Sequence, residues 1–122
     1  MGAMTGRPVV IKLGGAALPH REAVLRDLTE AREAGIQPIL VHGGGPVITE
    51  WLKRLGKQPV FVDGLRVTDA ETLDVATMAL AGKVNKELVA TLNLAGTPAV
   101  GLAGADGGWI RARRLSSPDL GF

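Results

Sequence analysis

No cysteine occurs among the 122 residues. A disulfide framework, a thiolate metal site and a thiol nucleophile are therefore excluded. Histidine is scarce as well, and His20 with His42 is too few to suggest a zinc cluster. An isoelectric point near 9.4 raises the question of a nucleic-acid partner. Only Arg111, Arg113 and Arg114 cluster, however, and no aromatic interleaves with them in a chain that is 3% aromatic. Such a group reads as a solvated strand end, so no nucleic-acid partner is expected. No apolar run approaches the roughly 20 residues that a membrane helix needs, and Met1 to Pro8 lacks the apolar segment of a secretory signal. The expectation is a cytoplasmic protein with no membrane partner. Serine never sits in a nucleophile elbow, and the glycine runs match neither the dinucleotide fingerprint nor the P-loop.

What is present is a chain of globular composition, 46% hydrophobic with 17 glycines, long enough for one domain with a real core. Val9-Val10-Ile11-Lys12-Leu13 is a β-branched run ending in Gly14-Gly15. Val24, Leu28 and Ala31 then recur at helical spacing, predicting a helix from about His20 to Ala34 with Gly35 as its stop. Pro38-Ile39-Leu40-Val41 reads as a second buried strand. After Gly43-Gly44-Gly45 comes a helix with Val47, Ile48, Trp51, Leu52 and Leu55 on one apolar face. Strand and helix alternating through short turns is the pattern of a parallel sheet with right-handed crossovers.

Asp63-Gly64 between Val60-Phe61-Val62 and Leu65-Arg66-Val67 predicts a hairpin. Thr68-Asp69-Ala70-Glu71 matches a capping box with Thr68 as N-cap. The helix that follows is apolar on more than one side, which suggests burial between layers or against another subunit. Gly82 is expected to separate it from a further helix over Lys83 to Ala95. Pro98 to Leu102 reads as a third buried strand, and Asp106-Gly107 as a turn into an antiparallel strand around Trp109 to Arg113. The fold class expected is α/β, a three-layer sandwich with a mainly parallel sheet flanked by helices, plus β-hairpins.

The candidates for chemistry gather at the glycine turns. Three glycines in a row are costly to order. Between a strand and Pro46, which suits the first position of a helix, they can present bare N–H groups to an anion. Lys12 lies near the end of a buried strand, one residue before Gly14-Gly15, where ligands of open α/β sheets bind. A cation beside two sets of exposed amides is what a phosphoryl group in transfer requires. The alternative for Lys12 is a stem that snorkels to the sheet edge. Arg66 offers a guanidinium fork suited to a carboxylate, or is an exposed strand residue. His42 reads as a hydrogen-bonded structural residue ahead of a base, and Asp106 as turn chemistry.

Val10 to Gly15, Val41 to Pro46, Gly64-Leu65-Arg66-Val67-Thr68-Asp69 and Gly82-Lys83-Val84-Asn85-Lys86 resemble the N-acetylglutamate kinases of the amino acid kinase family, in order and spacing. Val100-Gly101-Leu102 with Gly104 to Gly107 continues the likeness, which covers nearly the whole chain. The resemblance implies transfer of the γ-phosphate of ATP, carried with Mg2+, to the side-chain carboxylate of N-acetyl-L-glutamate in arginine biosynthesis. It gives Lys12 the neutralisation of the transferring phosphoryl and gives Gly14 and Gly15 contact with it or with the nucleotide. Gly43, Gly44 and Gly45 would bind the acyl substrate and the reacting oxygens, while Arg66 would hold the α-carboxylate. A glutamate side chain with a pKa of roughly 4.3 is already ionised at neutral pH, so no general base is needed.

The resemblance also implies a nucleotide-binding half with a second lysine, an aspartate and an asparagine that have no counterpart in residues 1–122. The chain is thus expected to be the N-terminal, acceptor-binding lobe, with little or no kinase activity alone. The few residues before Val9 lead to the expectation of an arginine-insensitive homodimer. The competing readings are a related kinase acting on aminoadipate or glutamate, a non-catalytic carboxylate-binding module, and a fragment with no independent role.

Overall fold

The computed structural model describes residues 6–15 and 21–113. His20, the Ala16 to Pro19 approach to the first helix, Arg114 and the Leu115 to Phe122 end lie outside the described residues. Strand β1 (Arg7–Leu13) leads to helix α1 (Arg21–Glu33), strand β2 (Ile36–His42) and helix α2 (Gly45–Arg54). The two strands pair in parallel, with Ile11 opposite Leu40 and Lys12 opposite Val41. The parallel sheet expected from the alternation is therefore present. The side-chain period of two sends Ile11, Leu13 and Leu40 to one face, where they pack with Leu25 and Leu28 of α1. The opposite face carries Lys12, Val10, Ile39 and Val41, all exposed.

A hairpin follows, β3 (Phe61–Val62) and β4 (Leu65–Arg66), turning at Asp63 (φ 49°) and Gly64 (φ 79°). Positive φ at both central residues is the requirement of a type I′ turn, which the Asp-Gly pair anticipates. Helix α3 (Ala70–Thr77) starts one residue later than the capping box implies. Its N-cap is Asp69, whose carboxylate accepts from the Thr72 N–H at 2.9 Å. The Thr68 hydroxyl donates instead to the Arg66 carbonyl, and Glu71 turns away to Lys57.

Gly82 does not break the chain. A π-helical segment, Met78–Val84, joins α3 to α4 (Asn85–Leu94) as one continuous rod. Burial explains why the wider turn is needed. Val75 and Ala79 face α2 in a core with Ile48 and Leu52, whereas Val84, Leu88 and Leu92 face Leu13, Leu25 and Leu28 in another. The step from Ala79 to Val84 is five residues, which an α-helix cannot keep on one stripe and a π turn can.

The third strand expected at Pro98 to Leu102 is not in a sheet, and Val100 is 85% exposed. Helix α4 takes the backbone groups that a ladder would use. Asn93 receives the Ala99 N–H on its Oδ1 at 2.8 Å and donates to the Ala99 carbonyl, while Lys86 Nζ donates to the Gly101 carbonyl at 3.0 Å. The second hairpin is absent as well. Asp106–Gly108 forms a 3-10 turn, and residues 109–113 pair with no described strand.

Candidate functional site

The site grows from the end of the parallel sheet. The Gly43 N–H donates to the Leu13 carbonyl at 3.0 Å, extending the strand pairing into the two glycine turns. A methyl group placed on Gly15 would come within 2.8 Å of Pro46 Cδ, so Gly14-Gly15 lies against the start of α2. Gly44 is closed in from the other side, since a methyl group there would come within 2.6 Å of Leu80 Cδ2 on the π segment. Glycine at these positions is thus a matter of close approach as much as of turning. Helix α2 begins at Gly45 with Pro46 in its first turn. The N–H groups of Gly44 and Gly45 have no acceptor assigned among the described residues, leaving an anion-ready helix N-terminus.

Arg66 reaches this turn from the hairpin. Its Nη2 donates to the Gly45 carbonyl and to Thr49 Oγ1, each at 3.0 Å, and its guanidinium lies 4.7 Å from the centre of the Phe61 ring. Its Nη1 is buried without a hydrogen-bond partner among the described residues. Partial burial draws the guanidinium below its ordinary value, yet arginine remains charged. A cleft of about 580 Å³ opens beside it, lined by Gly45, Pro46, Thr49, Glu50, Lys53 and Phe61 with Arg66 itself; Glu50 is paired with Arg54. The unmatched guanidinium N–H there can donate to one oxygen of a carboxylate while Nη2 keeps its existing anchors.

Lys57 fixes the base of the hairpin. Its ammonium lies 2.7 and 2.6 Å from the Asp69 carboxylate oxygens and 2.8 Å from Glu71 Oε2. These partners raise Lys57 above its ordinary value, Asp69 most. The same contact, with the Thr72 N–H, holds the Asp69 carboxyl well below the usual carboxylate range.

The structure brings Gly14, Gly15, Gly43, Gly44, Gly45 and Arg66 around one helix start. Lys12 stands at the same end of the sheet, on the exposed face, with no ion pair to a described residue. His42 is hydrogen bonded through both ring nitrogens, to the Gly43 carbonyl and to Asn85. Asp106 serves its own turn, accepting the Ala103 N–H at 2.6 Å. Thr49, Phe61 and Lys57 were not legible as parts of the site, because they meet Arg66 and its hairpin only through tertiary contact. Asn85 and Lys86 stood in a recognised segment that assigned them no role.

Among the described residues, no group of three or more acidic, histidine or cysteine side chains is placed to hold a metal ion, and no helix is long and apolar enough to cross a membrane. The sequence is 57% identical to an acetylglutamate kinase of Parasynechococcus marenigrum over 112 residues, which is 89% of this chain and 38% of that protein. It is 50% identical to one from Thermosynechococcus vestitus, over 98% of this chain and 42% of that protein. The chain therefore spans about two-fifths of the length of these relatives, and it matches their N-terminal part. A crystal structure of smu.665 from Streptococcus mutans superposes with a TM-score of 0.67 at 32% identity, over 73% of this chain and 37% of that one. The profile described as the amino acid kinase family matches residues 7–120, and the chain belongs to that family.

Proposed function

We propose that residues 1–122 form the acceptor-binding lobe of an acetylglutamate kinase, a phosphotransferase acting on the side-chain carboxylate of N-acetyl-L-glutamate. The observation that carries this reading is the buried, unpartnered Nη1 of Arg66 beside the open start of α2. Arg66 binds the α-carboxylate through that nitrogen while its Nη2 stays on Gly45 and Thr49. The N–H groups of Gly44 and Gly45 receive the acyl group and the reacting oxygens, while Gly43 holds the turn through its own N–H on the Leu13 carbonyl. Lys12, with Gly14 and Gly15, meets the transferring phosphoryl of ATP, which brings its own Mg2+ as part of the substrate. The acceptor carboxylate is ionised at neutral pH, so these residues bind, orient and neutralise charge and move no proton. The reading extends to a cytoplasmic homodimer in which a second copy covers the outer side of α3 and the start of the π segment, where Leu73 and Met78 are exposed.

Calorimetric titration of the chain with N-acetyl-L-glutamate, glutamate and aminoadipate tests the proposal. Heat with the acetylated acceptor alone supports it; equal binding of glutamate or aminoadipate moves the assignment to a related kinase. No binding of any of the three overturns it. A parallel titration with Mg-ATP is expected to give a much weaker signal, and light scattering checks the dimer.

A further inference from the structure

We infer that His42 and Asn85 are positioning residues that set the direction of the Gly44 N–H, through a hydrogen-bond chain that begins at Lys86. The chain has four links. Lys86 Nζ lies 3.1 Å from Asn85 Oδ1 and 3.0 Å from the Gly101 carbonyl. Asn85 Nδ2 lies 3.2 Å from His42 Nε2, and His42 Nδ1 lies 3.1 Å from the Gly43 carbonyl.

The direction of every link follows from chemistry. An ammonium only donates, so the atom of Asn85 facing Lys86 is the oxygen. The amide NH2 of Asn85 then faces the imidazole, and His42 Nε2 must accept. A neutral imidazole that accepts on Nε2 carries its proton on Nδ1. That proton is donated to the Gly43 carbonyl. In a planar trans peptide the carbonyl and the following N–H point in opposite directions, and no cis bond occurs among the described residues. Holding the Gly43 carbonyl against the imidazole therefore turns the Gly44 N–H away from it, to the ligand side of the turn.

The chain is built tightly. Asn85 is 7% exposed, and a methyl group on Gly101 would fall 1.9 Å from its Oδ1. The amide can neither slide nor rotate without losing Lys86. The catalytic consequence rests on the reading of the glycine turn as the acceptor site. The tautomer and the peptide orientation do not.

The test uses the 122-residue chain, labelled with nitrogen-15, at neutral pH. Long-range proton–nitrogen correlation is expected to show His42 as the Nδ1–H tautomer, its signals assigned by their loss in His42→Asn. In Asn85→Asp a side chain that only accepts faces Nε2, so the tautomer is expected to switch to Nε2–H. The Gly44 amide signal then moves, while those of Gly56 and Gly96 stay. Lys86→Met removes the donor to Asn85 together with the tie to the Gly101 carbonyl, and is expected to give a mixture of tautomers. His42→Asn keeps an N–H where Nδ1 stands and retains the Gly44 signal, whereas His42→Gln loses it. For N-acetyl-L-glutamate, Asn85→Asp and His42→Gln are expected to bind about tenfold more weakly and His42→Asn within about twofold of the parent. An Nε2–H tautomer in the parent chain overturns the inference, as does a Gly44 signal that ignores the tautomer switch. If the parent chain fails to bind the acceptor, the proposed function falls, while the tautomer and Gly44 results still decide the positioning.

Discussion

Two Asp-Gly turns in this chain have the same local signal and different outcomes. Asp63-Gly64 closes a β-hairpin, whereas Asp106-Gly107 lies in a 3-10 turn with no strand on either side among the described residues. The difference lies outside the dipeptides. The first turn is held by the Val67 N–H on the Val60 carbonyl, by Arg66 across to α2, and by Lys57 across to Asp69 and Glu71. In the second, the aspartate side chain is consumed by the Ala103 N–H, the Ile110 N–H returns to Gly104, and Trp109 Nε1 returns to Ala103. That loop satisfies itself and leaves Trp109 and Ile110 exposed. A turn signal thus sets the bend, and tertiary anchors decide whether strands follow.

The comparison can be broken most severely from below. Leu52, 1% exposed, packs α2, to which Arg66 ties the hairpin, against α3. Leu52→Ala is expected to cost about 2–5 kcal/mol in urea denaturation, and the hairpin amides should lose protection with it. Next in size is the anchor itself. Arg66→Ala removes both links to α2 and the free donor, and is expected to weaken N-acetyl-L-glutamate binding by roughly 10- to 100-fold in calorimetry. Arg66→Lys should recover little, since a point charge cannot replace the fork.

A matched pair of glycine changes sharpens the contrast. Gly64 (φ 79°) and Gly107 (φ 64°) both sit where alanine is strained, by about 1–2 kcal/mol. Gly64→Ala is expected to lower the urea midpoint by that much, because the hairpin is tied to the rest of the fold. Gly107→Ala should barely move it, since a self-contained surface loop relaxes locally.

The smallest effect is on acid. Asp69 is held below its ordinary value of 3.8, so the folded state keeps it ionised where the unfolded chain would protonate it. Its contribution is complete above about pH 4 and fades as the pH falls further. Lys57, raised above 10.5, sets the other limit, its share fading only as alkaline pH rises through its own value. The Asp69 share of stability, read by urea denaturation, should therefore hold steady from neutral pH to about 4 and fall below it, and Asp69→Asn should lessen that fall.

What the sequence disclosed is what is local. The two parallel strands, the glycine stops and the Asp63-Gly64 hairpin follow from period, caps and turn residues, and so does the convergence of the glycine turns at one end of the sheet. The misread elements were decided by competition for hydrogen bonds, between near neighbours at Thr68 and with the preceding helix at Pro98 to Leu102. Asp69 displaced Thr68 as the cap because Arg66 took the threonine hydroxyl. Pro98 to Leu102 looked like a strand by its apolar residues, but Asn93 and Lys86 of α4 captured its backbone. Of the candidate site, the glycines and Arg66 were visible as residue types suited to anions. The His42, Asn85 and Lys86 chain was not, because its order comes from which atoms can only donate.

The π segment has one more consequence, for how the molecule comes apart. Each of the two cores is small, and neither alone buries enough surface to hold a fold. They share one helical rod, and Val47 packs against both. Melting either half of the rod strips the partner from the other core, so the two are expected to unfold as one event. A fluorophore near Leu52 and another near Leu88 should report the same midpoint and the same denaturant slope.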